Sequence, residues 1–160
     1  MIEAEGNLFT YPADFYCIPI NGVVDYHGRL VMGAGVAKQA AALNPTLPLK
    51  FGLTVRRRGL VAQPTIESSF ITHPLTGHNM EFLLFPTKYH WKDYSANLGL
   101  IKESAHWIAH WAVSGLGHYA PITIAMPRPG CGHGNLNWGM VRPEIEGILP
   151  DNVVVVHNGQ

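Results

Sequence analysis

A chain of 160 residues, 47% hydrophobic and 14% charged, is long enough to bury one sizeable core and too short for two ordinary domains, so a single domain over residues 1–160 is expected. Its formal net charge is zero with nine histidines neutral, which excludes a global field drawing it onto nucleic acid or an anionic membrane and leaves only local contacts. Cys17 and Cys131 are too few for a disulfide scaffold, and the start MIEAEGNLF lacks the basic and apolar regions of a signal peptide. The longest apolar runs, FLLF and VVVV, fall far short of a membrane span, so the expectation is a soluble cytoplasmic protein with no membrane partner.

In chain order, residues 2–9 read as a first strand and FYCIPIN (15–21) as a buried one, closing at an Asn-Gly turn. The glycine-rich VMGAGVA follows, then a short helix over 36–43 that ends before Asn44-Pro45, because a residue preceding proline resists helical geometry. A second helix is expected over 47–58, stopping at Gly59. TIESSFITH and MEFLLFPTK have strand character and are joined by the turn-like PLTGHN, so they form a hairpin or neighbouring strands. Leu98, Ile101, Ala105, Ile108 and Trp111 recur at helical spacing, marking the longest helix over 94–113. The strand ITIAMP leads to a second glycine loop, RPGCGHG, then a last helix over 143–149 and the terminal strand NVVVVH. Alternating strands and helices predict a layered α/β domain with a mixed sheet.

A strand that ends in glycines and feeds a helix exposes backbone N–H groups at the positive end of the helix dipole, which makes a phosphate cradle. Two such loops are placed to meet at the strand ends, where open α/β sheets bind ligands. Neither matches a familiar nucleotide motif. Gly28 and Gly33 have phosphate-loop spacing, but Ala34 stands where the lysine belongs. Gly33 and Gly35 begin a GxGxxG, but Lys38 replaces the third glycine. For either loop alone, tight turns or close helix packing remain an equal explanation.

Three segments read together, EGNLF, IPIN…VMGAGVA and FPTKYHW followed by MPRPGCGHGNLNWGMVRPEI, resemble the macrodomain family. The likeness is greatest to the branch holding the DNA ADP-ribosyl glycohydrolase antitoxins and the terminal ADP-ribose protein glycohydrolase. The resemblance implies a three-layer α/β/α sandwich around a central mixed sheet, ADP-ribose or an ADP-ribosylated macromolecule as partner, and neither cofactor nor metal. It places Asn7 and Leu8 beside the adenine, and Asn21 on the distal ribose. Met32, Gly33, Ala34, Gly35 and Val36 fall on the diphosphate side, with Pro129, Gly130, Cys131, Gly132, His133 and Gly134 closing the opposite side. An asparagine oxygen accepts from the adenine amino group as an aspartate does, without charge assistance.

Lys88 falls at the branch's catalytic lysine. A neutral amine attacks the electrophilic anomeric carbon of ADP-ribose and releases the attached base or carboxylate. Arg128 is expected near it. The protein-directed enzyme of the branch has an aspartate where this chain has Gly134, so the substrate leans toward nucleobase-linked ADP-ribose, with a single-stranded nucleic acid as carrier. His133 would supply the missing acid or base; Asp25 and His27 of the inserted loop could do so too, but read first as polar loop residues meeting water. Tyr89 and Trp91 beside Lys88 have the character of a base-stacking surface, whereas Trp138 is expected to plug the core under the second loop. His106 and His110 have metal-ligand spacing without further ligands and read as an aromatic helix face. Arg56, Arg57 and Arg58 read as a dipole-complementing helix end, or else as a phosphate-backbone grip. The resulting expectation is an ADP-ribosyl glycohydrolase, with a non-catalytic ADP-ribose reader and an ADP-ribose 1″-phosphate phosphatase as rivals.

Overall fold

The computed structural model describes residues 1–159. Its sheet comprises β1 (Ile2–Glu5), β2 (Phe15–Ile20), β3 (Gln63–Pro64), β4 (Ile71–Thr72), β5 (Asn79–Pro86), β6 (Ile124–Met126) and β7 (Val153–His157). They lie in the order β1-β7-β6-β2-β5-β3, with β4 also on β5. The first five of that order are parallel, and β3 and β4 run antiparallel to β5. The helices are α1 (Gly35–Leu43), α2 (Leu47–Arg58), α3 (Leu98–Ser114) and α4 (Trp138–Ile145).

Side chains alternate across a strand, and both faces here are apolar. Phe15, Cys17, Leu83 and Phe85 pack with Ile101, Ile108, Val141 and Ile145 of α3 and α4. Tyr16, Ile18, Phe82 and Leu84 pack with Ala40, Leu47 and Phe51 of α1 and α2. The alternation in β2 and β5 therefore builds both halves of a three-layer α/β/α sandwich, and continuous hydrophobic runs such as FLLF follow from burial on two sides. Among the described residues, no helix is long and apolar enough to cross a membrane.

Several expected boundaries move. The first strand stops at Glu5, because the Asn7 side chain accepts from the Phe9 N–H and caps a 3-10 turn over Leu8–Thr10. Of the expected strand 65–73 only Ile71–Thr72 pairs, with Asn79 and Met80. The hydroxyl of Ser69 bonds both the N–H and the carbonyl of Phe82, so a side chain takes ladder positions that strand backbone would fill. α3 begins at Leu98, where Asn97 caps it by accepting from Leu100 N–H. The last helix covers Trp138–Ile145 rather than 143–149, with Pro143 inside it. The carbonyl that Pro143 leaves without a donor is that of Gly139, and both residues are on the exposed side.

Candidate functional site

The chain leaves β2, crosses α1 and α2 to reach β5, then returns past β2 to β6 on its other side. The carboxyl ends of β2, β5 and β6 thus open around a topological switch point, the place where such sheets bind ligands. A cleft of about 790 Å³ lies there, within the size range of small-molecule sites. Both glycine loops line it.

The first wall runs from Val31 to Ala37. Ala34 occupies the N-cap of α1 and offers no capping side chain, so the first N–H groups of the helix face the cleft without a local acceptor. Upstream, the amide of Asn21 donates to the Val31 carbonyl (2.8 Å) and accepts from Val23 N–H (2.8 Å), which closes the inserted loop. Arg56, at the end of α2, donates to the Asp25 carbonyl (2.8 Å) and anchors the same loop; Arg56, Arg57 and Arg58 form the basic last turn of that helix.

The opposite wall is the second loop. Gly130 takes φ +77°, and Gly134 lies so close to it that a Cβ at 134 would sit 2.4 Å from the Gly130 oxygen. The loop is held by Leu136 N–H on the Gly130 carbonyl (2.9 Å) and Ala96 N–H on the Gly134 carbonyl (2.7 Å). The absence of an aspartate at this position is therefore built into the backbone, which leaves no room for any side chain. The His133 ring reaches across to the first loop: a Cβ on Gly35, itself at φ +57°, would come within 3.0 Å of the imidazole.

Between the walls stands Lys88, at the end of β5. Parallel pairing of β2 with β5 and the Thr87 N–H bond to the Ile20 carbonyl (2.9 Å) bring it level with the loop after β2. Its Nζ donates to the Asp93 carbonyl (2.9 Å) and to the His133 carbonyl (3.1 Å), so the amine bridges its own turn and the second glycine loop. Asp93 supplies the carboxylate on the cleft wall, with Oδ2 accepting from His90 N–H (3.1 Å). Sequence reasoning passed over it; the signal was its place in the turn straight after Lys88.

Of the residues singled out in the sequence, Lys88, His133, Asn21, Met32, Gly33, Ala34, Gly35, Val36, Gly130, Gly132 and Gly134 line the cleft. Asn7, Leu8, Pro129 and Cys131 do not. Asn7 is occupied as a cap, and Leu8 is buried in the α1–α2 core. The Cys131 thiol turns to the Pro129 carbonyl (3.5 Å), and burial pushes up its proton affinity, against the opposing charge of Arg128. Asp25 also lies outside, its carboxylate capping a turn through the N–H groups of His27 and Arg29, which hold it below the usual carboxylate range. Arg128 lines the cleft, but its guanidinium meets Glu3 (3.7 Å) and lies 5.2 Å above the Trp138 ring. Trp138 does pack on the core beneath the loop, and its indole N–H donates to Glu3 (2.9 Å). His106 and His110 belong to an aromatic face on which Trp107 and Trp111 stack at 6.2 Å, and no group of three metal-ligating side chains occurs among the described residues.

No family model matches this chain. A curated relative, the DNA ADP-ribosyl transferase–DNA ADP-ribosyl glycohydrolase fusion protein of Thermosipho africanus (strain H17ap60334), is 41% identical over 66 residues, which make up 41% of this chain and 16% of that protein. Among solved structures, the macrodomain of Thermus aquaticus DarG superposes with a TM-score of 0.67 at 26% identity, over 97% of this chain and 95% of the other. The macrodomain of Mycobacterium tuberculosis DarG gives 0.70 at 22% identity, over 97% and 95%. Thermosipho africanus DarTG in complex with ADP-ribose gives 0.72 at 24% identity, over 97% of this chain but only 41% of that one.

Proposed function

The chain is a macrodomain, and from that premise we propose that it binds ADP-ribose in this cleft and removes it from a modified target, with nucleobase-linked ADP-ribose as substrate and Lys88 as nucleophile. The observation that carries the reading is the Lys88 amine held between the two loops, 2.9 Å from the Asp93 carbonyl and 3.1 Å from the His133 carbonyl. The diphosphate takes the N–H groups at the start of α1, where Ala34 leaves them uncapped. Gly33 and Gly132 have nothing within 4 Å of a notional Cβ, so ligand atoms can approach their backbone closely.

The anomeric carbon then lies toward Lys88. The Lys88 amine, once it has given up a proton to a base in the cleft, forms a C–N bond there as the bond to the target nitrogen breaks, and the departing nitrogen takes up a proton. His133, or the Asp93 carboxylate lining the same cleft, handles protons at this step. Water adds to the lysine-linked carbon, and the C–N bond to Lys88 opens to return the free amine and ADP-ribose. Support for the nucleobase target comes from the DNA ADP-ribosyl glycohydrolase for which the curated relative is named and from the second loop, which has no room for a side chain at Gly134.

The missing carboxylate at Gly134 also favours a second reading, a reader that binds ADP-ribose without turnover. Calorimetric titration with ADP-ribose, with ADP and AMP as controls, tests what both readings share. Micromolar affinity that weakens when the distal ribose is removed supports the pocket, and no binding of any of the three overturns it.

A further inference from the structure

We propose that Trp91, with Tyr94 beside it, is a stacking platform for the nucleobase that carries the ADP-ribose, so that the cleft takes a modified single strand in preference to an ester-linked protein. This rests on the ADP-ribose reading of the cleft and deepens it. Both rings line the cleft, yet Trp91 is 49% and Tyr94 85% exposed. Neither belongs to the core on either side of the sheet. Large aromatic side chains at the wall of a binding site, with no packing role, present a planar apolar surface to whatever enters, and every nucleobase has a matching face.

Their position selects the leaving group. With the diphosphate on the first loop and Lys88 at the anomeric carbon, the group beyond that carbon meets the segment following Lys88, which carries Trp91 and Tyr94. That segment is pinned at several points. Asp93 is bonded through its carbonyl to Lys88 and through its carboxylate to His90 N–H. The Tyr89 carbonyl accepts from Gly22 N–H (3.1 Å), and the Tyr94 carbonyl accepts from the Asn135 amide. With the backbone already fixed, only the side-chain rotamers remain to be ordered when a base settles on them. Lys92 holds its ammonium over one face of the Trp91 ring, 5.1 Å from its centre; a base stacks on the other face, and the ammonium adds a cation for the phosphate of a neighbouring nucleotide.

The test is a pair of affinities on a Lys88→Gln background, which halts turnover and keeps a donor toward the Asp93 carbonyl. The probes are free ADP-ribose, a single-stranded oligonucleotide bearing ADP-ribose on one base, and an acidic peptide bearing ester-linked ADP-ribose. The platform predicts that the oligonucleotide binds about tenfold or more tighter than free ADP-ribose. Trp91→Ala should abolish that advantage, Trp91→Phe restore most of it, and the peptide gain nothing. An advantage that survives Trp91→Ala, an equal advantage for the peptide, or none for the oligonucleotide overturns the platform while ADP-ribose still binds. Failure of free ADP-ribose to bind overturns the cleft reading as well.

Discussion

Replacing Gly134 by alanine adds one methyl group to the most crowded point of the cleft wall. Its Cβ would sit 2.4 Å from the Gly130 oxygen, 2.6 Å from its carbonyl carbon and 2.7 Å from its Cα, all backbone atoms that cannot rotate away. Gly130 cannot retreat either, since the side a Cβ would occupy is filled by Ile101, Ala96 and Leu136. Relief therefore means displacing the loop and weakening the bonds from Leu136 to Gly130 and from Ala96 to Gly134. Two hydrogen bonds at roughly 1 kcal/mol each, with overpacking of about 1–3 kcal/mol, give a loss of about 3–5 kcal/mol. For a chain of this size that lowers Tm by roughly 6–20 °C. Gly132→Ala is the matched control, because a Cβ there meets nothing within 4 Å; it should leave Tm within about 2 °C and weaken ADP-ribose binding by intruding on the ligand's space. Thermal unfolding followed by circular dichroism, with ADP-ribose titration of both variants, measures the contrast. Equal melting temperatures for the two would refute the loop packing described here.

Three further outcomes are expected. Asp93→Asn should lower the rate of ADP-ribose release about tenfold or more while leaving ADP-ribose affinity near wild type; unchanged turnover would assign the proton transfers to His133 alone. Burial and the neighbouring His73 hold the His78 imidazole below its usual value of 6.5. The stability this group contributes is thus present above that value and is lost as pH falls through the lowered native one, so urea midpoints should drop as pH falls below 6.5 and drop less in His78→Gln. Burial drives the Cys17 thiol far above its usual range, so a thiol reagent should label half-buried Cys131 first and reach Cys17 only on unfolding.

Much of the fold was legible because the main signals are local. The helical spacing from Leu98 to Trp111 marks α3, Gly59 ends α2 at its expected place, and the apolar runs of β2, β5 and β7 mark buried strands. Proline misled at the last helix, where Pro143 signalled a start although Asn137 caps it six residues earlier. The short β3 was missed because only two residues, one of them Pro64, pair at the sheet edge. In the cleft, the lining glycines and Lys88 were readable, since the glycine loops and FPTKYHW stand out as local sequence patterns. Roles set by three-dimensional neighbours were not: Asn7 caps a turn, Asn21 closes a loop, Arg128 turns to Glu3, and Asp93 enters the cleft through the bond between its carbonyl and Lys88.

The central claim is best tested by following ADP-ribose release from a single-stranded oligonucleotide modified on one base, with wild type and Lys88→Ala side by side and ADP-ribose affinity measured for both. Wild type should release ADP-ribose and the variant show none above background, with affinities within about threefold of each other. Release by both, or by neither while ADP-ribose binds both, would contradict a lysine-dependent glycohydrolase.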